Sequence, residues 1–202
     1  MGGDVFRDEY SLAFDGSTNY VDCGTSADIA LTTGYGSIGG WFKVIDDDAY
    51  MFIVSRGIGL TAGGNISAGN CGWSVSWLHT NGRLYFDCYT DDGDGTTTRR
   101  SAHTDSTAIP LNTWTHFVAV REQDSSDAQH YIYINGNKIT KEKHNGTAGN
   151  NLNDDDHPFR ISGDKGDNNP IKGNISDIFF YDRALTGTEI KTLYNGREPY
   201  NH

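Results

Sequence analysis

The run "CGWSVSWLHTNGRLYFDCYT" (71–90) constrains the fold more than any other stretch of the chain. Two segments rich in β-branched and aromatic residues flank "HTNGR", and Asn-Gly is the strongest short-range signal for a tight antiparallel hairpin. The same rhythm recurs along the whole sequence. "YSLAF" (10–14) ends at "DGSTN" and is followed by "YVDCG", then "GSIGGWFKV" (36–44) and "MFIVS" (51–55). After the hairpin come "TWTHFVAV" (113–120), "HYIYING" (130–136), "FRIS" (159–162) and "GNISDIFFYD" (173–182). With 25 Gly, 12% aromatic residues, 4 Pro and 2 Met, the composition suits many short strands joined by tight turns.

One segment breaks the rhythm. In "LTGTEIKTLYNG", Thr186 followed three residues later by Glu189 is a capping box. Ile190, Leu193 and Tyr194 then recur at helical spacing, and Gly196 suits the position just past a helix end. About a dozen strands and one terminal helix predict an all-β chain: a jelly-roll sandwich of two antiparallel sheets with one short C-terminal helix. At 202 residues a single domain is expected, with 1–9 as an N-terminal extension, 10–196 as the domain and 197–202 as a tail or linker.

A formal net charge of -11 argues against nucleic acid as a partner, because a phosphate backbone would be repelled. No apolar run approaches the roughly 20 residues needed to span a bilayer, so membrane insertion is not expected. "MGGDVFRDEY" has neither a basic n-region nor an apolar h-region, and no signal peptide is read there. Cys23, Cys71 and Cys88 are an odd set, compatible with one bridge and a free thiol or with three buried thiols. The seven histidines show no H-E-x-x-H spacing, and no G-x-S-x-G elbow or phosphate-cradling loop is present.

Four segments in this order carry a family resemblance: "YSLAFDGSTNYVDCG", "SIGGWFKV", "LNTWTHFVAVRE…YIYINGNKI" and "GNISDIFFYDRALTGTEIKTLYNG". Together they resemble the laminin-G-like domains of the concanavalin A-like lectin/glucanase superfamily over roughly residues 10–196. The resemblance implies the jelly roll. It leaves function open, because the superfamily includes lectins, adhesion modules, hydrolases and structural domains.

Glucanases of that superfamily carry acid and nucleophile on one strand in an E-x-D-x-x-E pattern, and a retaining pair needs carboxyls about 5–5.5 Å apart. Here the nearest pattern is Glu122, Asp124 and Asp127 within "EQDSSD", where polar residues replace the apolar ones. This composition reads as a solvated loop between two strands, so no catalytic residue is assigned and the chain is not expected to be an enzyme. Asp177 is different. Strict alternation in "NISDIFFY" places it with Ile175, Phe179 and Tyr181, so it is expected to be partly buried and to need a cation, an arginine such as Arg183, or backbone donors. The resemblance implies a structural calcium between the end of the first strand and the last long strand, which here means Asp15 with Asp177. Backbone carbonyls near Gly16 or Tyr20 would complete that site. A second calcium candidate is Asp91, Asp92 and Asp94 in "TDDGDG", although the downstream Glu of an EF-hand is missing.

Aromatic rings stack on sugar faces while amide and carboxylate groups read hydroxyls. Trp77 and Tyr89, near strand ends, are the rings expected to be exposed, with His79 and Asn81 of the connecting turn as ligand-facing neighbours. Trp41 and Trp114 are expected in the core. The functional expectation is a lectin-like module that recognises carbohydrate, a surface glycoconjugate or a protein partner, helped by calcium. It would work outside the cell or on a virion or cell surface, as part of a larger assembly with further domains. A structural or assembly domain is the alternative, and a glycoside hydrolase the weakest reading.

Overall fold

The computed structural model describes residues 10–26, 29, 31, 34–45, 50–57, 72–78, 82–91, 97–105, 109–124, 127–139, 141–144, 157–164, 166 and 169–196. They form the sandwich that the turn rhythm implies. The strands of one sheet are β1 (Leu12–Asp15), β3 (Gly36–Val44), β8 (Thr115–Asp124), β9 (Asp127–Ile134), β10 (Asn137–Lys138) and β13 (Lys172–Tyr181), ordered β1-β13-β3-β8-β9-β10. The other sheet holds β2 (Val21–Asp22), β4 (Tyr50–Arg56), β5 (Gly72–Leu78), β6 (Arg83–Asp91), β7 (Thr97–His103), β11 (Lys141–His144) and β12 (Phe159–Ile161), ordered β11-β7-β6-β5-β4-β12-β2. All neighbouring pairs within the two sheets are antiparallel. The helix, α1 (Gly187–Gly196), comes last.

Alternation along each strand sends one set of side chains into the space between the sheets. Phe42 from β3, Phe117 from β8, Ile132 from β9, Val75 and Trp73 from β5, and Leu84 and Phe86 from β6 meet there with essentially no exposure. Burying each such side chain contributes roughly 1.5–3 kcal/mol, which makes this layer the main stabilising element. The helix covers the outer face of the six-stranded sheet, where Leu185 and Ile190 pack on Val118 and Val120. The capping box forms as expected: Thr186 N–H donates to Glu189 Oε2 at 2.9 Å, and Glu189 N–H donates to Thr186 Oγ1 at 3.3 Å. Asn135 and Gly136 join β9 to β10 with φ of 48° and 75°, the left-handed pair that a tight hairpin needs. A Cβ on Gly136 would approach the Tyr194 ring to 3.2 Å, so this Gly also lets the helix sit close.

Three sequence expectations are corrected. The "EQDSSD" segment is not a loop: β8 runs to Asp124 and β9 starts at Asp127, with Glu122 opposite Gln129 and Asp124 opposite Asp127. Ladder hydrogen bonds are made by the backbone, so polar side chains do not end a strand when the connection is only two residues long. β7, "TTRRSAH", lacks the apolar alternation expected of a strand, yet it pairs with β6 over its whole length. Asp177 is exposed rather than partly buried. A β-bulge between Ser176 and Phe179 sets two residues against Gly40, and Asp177 takes φ 52° there. The extra residue shifts the alternation, so Ile178 and Phe180 pack against the inter-sheet core instead of facing away.

Candidate functional site

The outer face of the seven-stranded sheet carries polar and aromatic groups that the core does not use. On β6 the inward residues are Leu84, Phe86 and Cys88, which turns Tyr85, Asp87 and Tyr89 outward. Their cross-strand partners share that face: Ser76, Ser74 and Gly72 on β5, and His103, Ser101 and Arg99 on β7. Tyr50 and Phe52 of β4 complete the array, and Phe52 and Tyr89 form a small apolar cluster with Tyr50 packed against it.

Asp87 is at the centre and has no solvent exposure. Arg99 Nε and Nη2 donate to its Oδ1 at 3.0 and 2.9 Å, and Nη2 also donates to Oδ2 at 2.8 Å. The Arg99 side chain is 38% exposed, and its guanidinium stands 5.9 Å from the Tyr85 ring centroid and 5.8 Å from that of Tyr89, within cation–π range. Burial pushes the Asp87 carboxyl up from its ordinary range and outweighs the opposing pull of Arg99. Arg99 is raised by the Asp87 charge, against the burial that would lower it. Burial likewise raises the Tyr50 and Tyr89 phenols, with the Asp87 charge adding to it, so both stay neutral hydroxyls. Tyr50 OH meets Ser76 Oγ at 2.8 Å.

Several polar atoms here remain unsatisfied. Ser74 Oγ, beside Asp87, is buried without a hydrogen-bond partner. Ser101, on the other side of Asp87, favours its ionised form without reaching hydrogen-bonding geometry. His103 Nδ1 lies 2.9 Å from the Thr104 carbonyl, which makes that nitrogen the donor and leaves Nε2 as an acceptor in the neutral ring. Nε2 is buried and has no partner. Unsatisfied buried polar groups are uncommon in folded proteins, and here they gather around Asp87, beneath the partly open Tyr85 and Arg99 side chains.

The residues singled out from sequence are distributed differently. Trp77 is 2% exposed and belongs to the inter-sheet core, so it offers no stacking face. Its alternation with Trp73 and Val75 sends all three inward. Tyr89 is on the right face but only 8% exposed, so the more open Tyr85 takes its place. Trp41 is buried, while Trp114 is only half-buried beneath Lys43. His79, Asn81, Asp92 and Asp94 lie outside the described residues, and Asp91 is the last residue of β6, opposite Thr97. Asp15 and Asp177 are not brought together. Asp15 pairs with Lys172, five residues from Asp177, which is about 17 Å along the strand. The Asp15 carboxylate accepts from the backbone N–H of Ser17 at 2.8 Å and of Thr18 at 3.1 Å, and these bonds lower its pKa to about 2. Cys23 is exposed, Cys88 is buried, and they form no disulfide with each other. No group of three or more His, Cys, Asp or Glu comes together among the described residues, and no helix among them is long and apolar enough to cross a membrane. Glu122 is exposed on the helix-bearing face, on the opposite side of the sandwich from the Tyr–Arg–Asp array.

A two-sheet jelly roll with one sheet face left to polar and aromatic side chains is a lectin-like architecture. The family model described as "Concanavalin A-like lectin/glucanases superfamily", of laminin G type, matches residues 15–191, and the chain belongs to this family. No curated protein matches the sequence. Among solved structures, the CBM40 of Ruminococcus gnavus IT-sialidase superposes with TM-score 0.67 at 14% identity, covering 91% of this chain and 96% of that one. The same module bound to alpha2,3 sialyllactose gives 0.66 at 13% identity, with coverage of 92% and 97%. The botulinum neurotoxin type G receptor binding domain gives 0.54 at 16% identity, with coverage of 93% of this chain and 46% of that one. At these identities the likeness is one of fold.

Proposed function

We propose that this chain is a non-catalytic carbohydrate-binding module whose ligand lies on the outer face of the seven-stranded sheet. The observation that carries the reading is the Tyr50–Tyr85–Tyr89 array around the Arg99–Asp87 pair, in which Tyr85 and Arg99 are partly open to solvent. Tyr85 supplies the stacking face, and the exposed part of the Arg99 side chain donates to ring hydroxyls or a carboxylate. The likeness to a module solved with sialyllactose supports the same reading. Calcium is a proposed helper: Asp91 is the last residue of β6, two positions after Tyr89, and Asp92 and Asp94 follow it in the sequence. The setting proposed is extracellular or on a cell or virion surface, within a larger assembly. A protein partner is the second reading, favoured by the exposed Tyr10 and Leu12 at the edge strand β1.

The test is a glycan array with neutral and sialylated sugars, probed by the purified chain with and without chelator. Binding that is lost in Tyr85→Ala supports the reading, and a chelator-sensitive signal supports the calcium. An array with no signal, alongside a stable symmetric oligomer, favours the assembly reading instead. Hydrolysis of a β-glucan that disappears in Glu122→Gln would overturn the non-catalytic assignment.

A further inference from the structure

The space between the sheets is not apolar throughout. On the inward face of β8, Phe117 and Ala119 are followed by Arg121, which is 1% exposed. His130 of β9 is its cross-strand partner and equally buried. The His130 ring centroid lies 5.1 Å from that of Phe86 in the facing sheet. Beside Phe86, Cys88 pairs with Arg100, which is buried and turned inward with Ala102. Two guanidinium groups and an imidazole therefore occupy one layer at this end of the core.

Arg121 Nε and Nη1 are buried and meet no hydrogen-bond partner. The two most deeply buried carboxylates among the described residues are engaged elsewhere: Asp87 holds Arg99 on the outer face, and Asp164 accepts from Gly166 N–H at 2.8 Å. A guanidinium cannot lose its charge by deprotonation, and a buried charge without a counter-charge is among the costliest features a fold can hold.

We propose that this end of the sandwich is a closed anion site, in which one chloride-sized inorganic anion sits against Arg121, with His130 and Arg100 beside it. Phe86, Cys88 and Ala102 wall the site, and an ion enclosed by buried residues must be small and shed its water. Its role is to neutralise Arg121 and to hold β6 and β7 against β8 and β9.

The test melts the full chain at constant ionic strength while chloride replaces gluconate. Each tenfold rise in chloride above its Kd is expected to raise the wild-type Tm by about 3–5 °C. Arg121→Met, which keeps side-chain bulk without the charge, should flatten that dependence. Equal slopes in both proteins mean an adventitious ion only, and a flat wild-type line means that no chloride enters; either overturns the proposal. If Arg121→Met does not fold, chloride NMR on the wild type decides alone. Excess line broadening that saturates at a single site supports the proposal, and its absence overturns it.

Discussion

Arg99 on β7 grips Asp87 on β6 through three hydrogen bonds of 2.8–3.0 Å, with the carboxylate fully buried and the Arg99 side chain partly open to solvent. The two ends of this pair are not equivalent. Arg99→Met leaves a buried carboxylate without its counter-charge and should cost about 3–5 kcal/mol. Asp87→Asn leaves a guanidinium that water can reach and should cost about 1–2 kcal/mol. Urea denaturation of both variants checks the order, and equal losses would mean that Asp87 is not the buried member.

The same pair sets a pH dependence. Burial raises Asp87, and a carboxyl whose folded pKa exceeds its unfolded value holds its proton more tightly when folded. This group's contribution to stability is therefore greatest at acid pH and fades as pH rises through the folded pKa. The ion pair forms over that same interval, so glycan affinity should fall on acidification at a pH above the ordinary aspartate range. Calorimetric titrations across pH should show that inflection in the wild type and not in Asp87→Asn.

Trp77→Phe should lower stability by about 1–2 kcal/mol through lost packing and leave glycan affinity unchanged, because Trp77 lies in the core. Denaturation and titration of this single variant separate the two roles. The strand positions were readable from turn residues and aromatic runs, and the helix from its capping box. Nearness to a strand end does not bring exposure here, because the alternation Trp73–Val75–Trp77 points all three inward. Arg99 was out of reach, because "TTRRSAH" has no apolar signal and becomes a strand through pairing with β6. Asp177 failed for a third reason: a bulge adds one residue and no composition marks it.

Asp15 and Asp177 should behave as strangers. Asp15 ends β1 opposite Lys172, five residues along β13 from Asp177, and its carboxylate accepts from Ser17 and Thr18, so the stability losses of Asp15→Ala and Asp177→Ala should add within about 0.5 kcal/mol. A coupling well above that, seen only with calcium present, would restore the shared cation.

The helix cap predicts an acid sensitivity of its own. Glu189 is lowered to about 2, chiefly by its hydrogen bond to Arg183 and then by the Thr186 N–H. Its stabilising effect is complete above the unfolded value near 4.5 and is lost as pH falls toward 2. Thr186→Ala should cost about 1 kcal/mol at neutral pH, and Arg183→Gln should shift the acid transition of the helix upward. Circular dichroism during acid titration reads both.

The most direct test of the account is an amide NMR map of the labelled chain titrated with whichever glycan it binds. A ligand on the outer face of the seven-stranded sheet should concentrate the shifts on Ser74, Tyr85, Asp87, Tyr89, Arg99 and His103. Shifts confined to the helix-bearing face, around Tyr181, Glu189 or Glu122, would contradict it.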